Sequence, residues 1–206
     1  MTVTASPTTD TRWPRPFRYL YAASLADNLG YQVGYLAVPV LAVSVLAATP
    51  GQVGLLGVLS TGAFLLIGLP AGVWVDRSPR RTVMVIADLA RAVLYASIPL
   101  AWWADLLTIN QLYAVVLLTG IGTVFGDVAA QSFLPELVGR DRLVAANALL
   151  STTNATVQIG GRGFGGLLVQ ALGAPAALVL NAVTHLLSAL THTRVRPARD
   201  PAAHPQ

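Results

Sequence analysis

A few ionisable residues stand out by type and spacing in a chain that is otherwise mostly apolar. Gly72, Asp76, Arg77, Arg80 and Arg81 lie in one turn, which packs a carboxylate and three guanidiniums between two long apolar runs. Asp88 and Arg91 are three residues apart, the spacing that places two side chains on one face of a helix. Asp27 and Asp127 are acids standing alone in apolar stretches. A charge at the centre of a membrane helix costs roughly 2.5–3.5 kcal/mol on insertion scales, so each such group implies a partner or a task. The tasks open to these residues are non-covalent: ion pairing, gating and carrying a proton, for which Asp27 is the candidate. No Ser–His–acid set and no phosphate-cradling glycine loop stands in a suitable context, and the three histidines are scattered. With no cysteine, thiol chemistry and cysteine-ligated metal are excluded. The expectation is no enzyme, no cofactor and no metal. His185, beside Thr184 and Ser188, reads as a packed, hydrogen-bonded side chain rather than a relay.

The surrounding composition says what must position these groups. Of 206 residues, 54% are hydrophobic and 11% charged, with mean hydropathy +0.62. Soluble domains carry roughly 25% charged residues, so the partner is a lipid bilayer. The net charge of +4 does not indicate nucleic acid, because the arginines stand in links between apolar runs. Six such runs are long enough to span a bilayer as helices, which takes about 20 residues each. They cover about 17–47, 52–75, 82–104, 110–130, 143–171 and 175–193, with a polar link at 133–142 that contains Pro135 and Glu136. All 13 basic residues are arginine, and all but Arg91 and Arg162 precede the first span or follow the second, fourth or sixth. By the positive-inside rule both termini are cytoplasmic. The expected organisation is a cytoplasmic tail at 1–16, a six-helix transmembrane bundle at 17–193 and a disordered cytoplasmic tail at 194–206. The polar start lacks the short apolar core of a cleavable signal, so the first span is expected to be retained.

Two spans carry polar faces. In the fifth, Asn147, Ser151, Asn154, Gln158 and Arg162 follow in steps of four, three, four and four, one stripe along a helix. In the first, Ser24, Asp27, Asn28, Tyr31, Gln32 and Tyr35 form a similar face. Polar stripes in a membrane face a bundle interior or an aqueous cavity. Asp27, Asn28, Tyr31, Gln32, Asn154, Gln158 and Arg162 are therefore the candidate substrate contacts, with interhelical hydrogen bonding as the alternative role. Asp27 and Arg162 lie on opposite sides of mid-span and are not expected to pair. Gly161 and Gly165 make a Gly-x3-Gly step that permits close helix approach.

The charged turn resembles the signature loop between the second and third helices of the major facilitator superfamily, broadly Gly-x-Leu-Ala-Asp-Arg-x-Gly-Arg-Arg, with Pro79 in place of the usual glycine. The stretches Asp127–Pro135 and Leu143–Leu149 resemble the same branch, which includes the bacterial enterobactin exporter and macrolide-efflux proteins. The resemblance, from about Phe17 to Thr193, implies an all-α membrane protein matching the amino-terminal half of that fold, with a 3+3 inverted repeat. No residue-level repeat is visible between the two sets of three spans. The resemblance further implies proton-coupled efflux of small hydrophobic or amphipathic molecules across the bacterial inner membrane. It places the polar faces of spans 1 and 5 beside the substrate cavity. It joins Asp76, Arg77, Arg80 and Asp127 in a cytoplasmic charge cluster with Asp88 and Arg91, able to hold one end state of the transport cycle. The second set of six helices, which completes the cavity in the family, has no counterpart among these residues. A separately encoded second half, or a second copy of the chain, is thus an expected partner. The alternative expectations are a truncated, non-transporting remnant and a membrane protein that docks such a half. Gly161-Arg162-Gly163-Phe164-Gly165-Gly166 resembles the span-5 antiporter motif, with Arg162 where that motif has proline.

Overall fold

The apolar runs fold as helices separated by links of one to five residues. The computed structural model describes residues 12–195. Most of the expected amino-terminal tail, and the carboxy-terminal tail from residue 196 with Arg196 and Arg199, lie outside the described residues. The helices are α1 (Arg15–Leu46), α2 (Pro50–Asp76), α3 (Arg80–Trp103), α4 (Ile109–Val138), α5 (Leu143–Leu172) and α6 (Ala174–His192). A 3-10 turn at Arg140–Arg142 leads into α5, and no strand occurs among the described residues.

The helix starts follow local chemistry. Thr49 and Gln52 form a reciprocal capping box at the start of α2, Thr49 N–H donating to Gln52 Oε1 at 2.8 Å. Thr108 Oγ1 accepts from Gln111 N–H at the start of α4. Pro16, Pro50 and Pro175 stand in first turns, where the missing N–H has no partner to lose. Pro39, Pro70, Pro99 and Pro135 lie inside helices. Pro135 corrects the expected break at 133–142. The helix runs on to Val138 because Phe133, Leu134, Leu137 and Val138 are all buried in one apolar cluster, and that burial outweighs the proline.

Five helices, α1, α2, α3, α4 and α6, are long and apolar enough to cross a membrane. α5 is long enough but is diluted by its polar stripe and glycines. Much of α2 presents apolar side chains outward, Leu69 being 91% exposed, as a lipid-facing surface does.

Apart from α3 and α4, helices adjacent in sequence touch little: α1 packs chiefly on α6 and α5, α3 on α6 and α4, and α2 on α4. Two apolar clusters form the core. One contains Val38, Leu41, Ile98, Leu112 and Leu178, and the other Phe17, Leu20, Met84, Phe133 and Leu137. Between them in chain position lie the buried polar residues Asp88, Arg91, His185 and Ser188.

Close approach of α1 to α6 depends on Gly30 and Gly34. A Cβ at Gly30 would stand 2.2 Å from Thr184 Oγ1, and one at Gly34 would stand 2.4 Å from Asn181 Nδ2. Gly30→Leu is therefore expected to destabilise the bundle by about 1–3 kcal/mol through overpacking. At Gly163 a Cβ would meet nothing within 4 Å, so Gly163→Ala is expected to be neutral or stabilising by up to about 1 kcal/mol. Thermal unfolding in detergent distinguishes the two, and equal melting of both variants would contradict the α1–α6 packing.

Candidate functional site

At the junction of α1, α3 and α6 one guanidinium holds two carboxylates. Arg91 Nη1 donates to Asp27 Oδ2 at 2.9 Å, and Arg91 Nη2 donates to Asp88 Oδ1. The remaining Arg91 donor, Nε, points to the carbonyl of Ala87 at 3.4 Å, and Thr123 Oγ1 of α4 lies 3.5 Å from Nη1. The carboxylates are satisfied from α6 as well. Asp27 Oδ1 is 2.7 Å from His185 Nδ1, while Asp88 Oδ2 is 2.8 Å from His192 Nδ1 and accepts from Ser188 Oγ at 2.7 Å. Each imidazole donates when its proton is on Nδ1. Asp88 is 0% and Arg91 4% exposed, and the Asp27 side chain retains 20%.

Local packing explains how a guanidinium fits there. On α4, a Cβ at Gly122 would stand 3.1 Å from Arg91 Cγ, and one at Gly126 would stand 3.4 Å from Arg91 Nη2. The two glycines leave a trough for the arginine. His185 lies parallel to Tyr95, with centroids 5.5 Å apart, which fixes the ring facing Asp27.

The charged turn makes different contacts. Arg80 pairs with Glu136 at the end of α4, in a bridge open to solvent on both sides. Arg81 donates to the carbonyls of His192 and Thr193, completing the carboxy-terminal end of α6. Asp76 and Arg77 are exposed and make no hydrogen bond or ion pair with Asp88 or Arg91, and Gly72 lies one turn before Asp76 in α2. Of the cluster expected from the resemblance, the structure joins Asp88 and Arg91. Asp127, exposed on α4, makes no hydrogen bond or ion pair among the described residues.

The network borders a cavity of about 1110 Å³, walled mainly by α1, α2 and α4 and completed by α3 and α5. Asp27, Asn28, Tyr31 and Asn154 line it, together with Asn147, Ser151 and Asp127. Asn28 Nδ2 also donates to Asn154 Oδ1 at 3.0 Å, so the expected cavity contact and the interhelical bond coexist. Gln32 does not line the cavity. It is buried under α5, where a Cβ at Gly161 would stand 2.9 Å from its Cγ and one at Gly165 would stand 3.2 Å from its carbonyl oxygen. Gln158 and Arg162 are exposed and do not line the cavity, and the Arg162 guanidinium rests 5.7 Å from the Tyr35 ring centroid.

Sequence reasoning missed the part played by α6. His185 does make the expected hydrogen bond, but its partner is Asp27, and His192 had drawn no notice. The only available signal was His185, Ser188 and His192 at spacings of three and four, one helical face inside an apolar span. Ligand atoms of Asp27, Asp88 and His185 lie within 4.8 Å of one another, the proximity a metal ion needs. The Arg91 guanidinium bridges both carboxylates of that group, so a cation there would have to displace it.

Helices long and apolar enough to cross a membrane, a buried ion network and an adjoining cavity mark an integral membrane protein of the all-helical class. The model of the family described as transmembrane secretion effector, within the major facilitator superfamily, matches residues 10–206, and the chain belongs to that family. The uncharacterized MFS-type transporter YfiS of Bacillus subtilis (strain 168) is 25% identical over 174 residues, covering 83% of this chain and 40% of that protein. The multidrug efflux pump Tap of Mycolicibacterium fortuitum is 34% identical over 116 residues, covering 53% of this chain and 28% of that protein. The chain thus spans less than half the length of either relative that it matches.

Removing Arg91 leaves two buried carboxylates without their shared counter-charge. Arg91→Gln is expected to lower stability by about 3–5 kcal/mol. Arg80→Gln, at a solvent-open bridge, is expected to cost less than about 1 kcal/mol. Denaturant or thermal unfolding in detergent reads the contrast, and small, equal losses would show that the network holds nothing together.

Proposed function

We propose that this chain supplies one six-helix half of a secondary-active exporter of small hydrophobic or amphipathic molecules, built as a 3+3 inverted repeat with α5 as its sixth span. In this reading both termini face the cytoplasm and the membrane is the bacterial inner membrane, as the arginine distribution suggests. The observation that carries the proposal is the cavity bordered by a buried ion network, with Asp27 belonging to both. The efflux named for the Mycolicibacterium relative supports the same direction of transport.

The packing pattern supports the repeat. Exchanging α1–α3 for α4–α6 turns each helix–helix contact into another that is present: α1 on α6 becomes α4 on α3, and α2 on α4 becomes α5 on α1. The glycine steps follow the same exchange. Gly30 and Gly34 seat α1 on α6, and Gly122 and Gly126 seat α4 on α3.

The mechanism follows from what each group can do. Asp27 holds Arg91 only while ionised. A proton arriving from the cavity on Asp27 removes half of Arg91's counter-charge and weakens the tie between α1 and α3. Proton occupancy and helix arrangement are thereby linked, as proton-coupled alternating access requires. The Arg80–Glu136 and Arg81–α6 contacts close the bundle at the end where the charged turn lies. Asp76 and Arg77 are exposed, and in this reading they are the groups that meet a second six-helix half.

The test is proton-gradient-driven efflux of a fluorescent dye from cells producing the chain, with its presence in the membrane checked in parallel. Asp27→Asn is expected to slow efflux by about tenfold or more, because the coupling proton has no site. Asp76→Asn is expected to reduce efflux without disturbing the buried network. Unchanged efflux in Asp27→Asn would remove Asp27 from coupling. No efflux with the chain present in the membrane would favour a remnant or a half that docks a partner.

A further inference from the structure

Four arginines meet where the chain enters α1 and where it enters α5. A cavity of about 420 Å³ there is lined by Arg12, Trp13, Pro14, Arg15, Arg18 and Arg142. Its wall holds guanidiniums and no acid; Asp141, beside Arg142 in the chain, is exposed and does not line it. Two contacts hold the wall in shape. Arg142 Nη1 donates to the carbonyl of Arg12 at 3.1 Å, which ties the start of α5 to the residues before α1. Trp13 lies against Phe17 with ring centroids 4.6 Å apart, and it packs on the apolar cluster that contains Val75 and Met84. Those two residues flank the charged turn, so the cavity sits at the same end of the bundle.

Arg15 and Arg18 are the open part of the wall. Both are exposed, and neither side chain makes a hydrogen bond or ion pair among the described residues. By contrast, Arg80, Arg81 and Arg91 are each engaged by oxygens of the chain itself. The start of α1 adds to the field. It has no side-chain cap and no acid in its first turn, so its partial positive charge is left unmatched there. Clustered guanidiniums call for an anion with several oxygens, because each binds phosphate through paired N–H donors.

The surroundings select a lipid phosphate over a free one. Tyr19 and Ala22 follow Arg15 and Arg18 by four residues each, and both are exposed. On a helix that spacing keeps them on the face of the two arginines, one turn further into the apolar span. A tryptophan at the end of a membrane helix marks the headgroup level. Guanidiniums at that level, with an open and largely apolar face beyond them, match a molecule that joins an anionic head to acyl chains.

We infer that this cavity binds the phosphate headgroup of an anionic phospholipid, with Arg15 and Arg18 as its anchors and Arg12 and Arg142 beside them. The inference requires only that the helices cross a membrane, and neither efflux nor the substrate cavity enters it.

The experiment is native mass spectrometry of the detergent-solubilised chain titrated with palmitoyl-oleoyl phosphatidylglycerol, which is anionic. Palmitoyl-oleoyl phosphatidylcholine, with the same acyl chains and no net charge, is the comparison lipid, and inorganic phosphate is the free-anion probe. The first phosphatidylglycerol is expected to bind about tenfold or more tighter than phosphatidylcholine. Arg15→Gln combined with Arg18→Gln is expected to bring that preference within about threefold, since each arginine near an anionic surface is worth about fivefold. Arg15→Lys combined with Arg18→Lys, which keeps both charges, is expected to stay within about threefold of the unaltered chain. Arg140→Gln removes an exposed arginine just outside the cavity and is expected to leave the preference unchanged. Should the glutamine pair fail to fold, the lipid ranking in the unaltered chain and the Arg140→Gln result still decide. Equal binding of the two lipids, or a glutamine pair that keeps the full preference, would overturn the site. An equal loss in Arg140→Gln would overturn it in favour of a general basic surface. Displacement of phosphatidylglycerol by an equal concentration of inorganic phosphate would overturn the lipid in favour of a free phosphate.

Discussion

The guanidinium of Arg91, held between Asp27 and Asp88, is the constraint on which the bundle depends. Three charges inside a membrane domain cost several kcal/mol to insert, at roughly 2.5–3.5 kcal/mol each. Only close pairing offsets that cost; at an effective dielectric near 20, two opposite charges about 4 Å apart gain about 4 kcal/mol. The pairing must also satisfy the remaining lone pairs, or the desolvation penalty exceeds the gain. Here the second oxygen of each carboxylate meets α6, through His185 for Asp27 and through Ser188 and His192 for Asp88. The ion pair therefore fixes α1, α3 and α6 together, while Gly122 and Gly126 oblige α4 to follow.

That arrangement gives the charged turn a connection to the interior that its own residues do not make directly. Arg81 binds the last carbonyls of α6, and the His192 side chain, one turn of chemistry inward, binds Asp88. A chain of contacts then runs from Arg81 through α6 to Asp88, Arg91, Asp27 and the cavity. Continuity of contact is the precondition for coupling between two sites, and it becomes coupling when the linking element has two arrangements. α6 is a rigid helix held at both ends of this path, so any movement of the turn against it must be absorbed at His192 or transmitted to Asp88.

Much of this was legible in the sequence. Helix positions followed from run length and the arginine-bearing links, and the placing of Asp88 and Arg91 on one helix face followed from their spacing. The Gly161–Gly165 step correctly announced close contact with another helix. Other features were not legible for physical reasons. Helix α4 continues past Pro135 because Leu137 and Val138, like Phe133 and Leu134 just before it, find apolar partners from other helices, which no local pattern records. Asp27 meets His185 across 158 positions, and sequence spacing says nothing about such a contact. Gln32 looked like a cavity residue from its place among polar neighbours. Its burial is decided by the absence of side chains on α5 opposite it.

Helix α5 shows how the same constraint shapes composition. It is the helix whose average hydropathy does not mark it as a span, and it also forms a wall of the cavity. The two facts have one cause. Asn147, Ser151 and Asn154 face the cavity, while Val144, Ile159, Phe164 and Leu167 are exposed elsewhere on the surface. A helix between water and lipid must divide its faces in this way, and averaging over them conceals the apolar one. The division has a mechanical consequence. Few residues of α5 are buried, namely Ala146, Val157, Gly161 and Gly165. Its hold on α1 comes from glycine contacts and from the polar pairs Asn28–Asn154 and Tyr21–Thr153. Such bonds are worth only about 0.6 kcal/mol each in membranes. α5 is thus fastened by weak, exchangeable contacts beside a core of strong, shared charges.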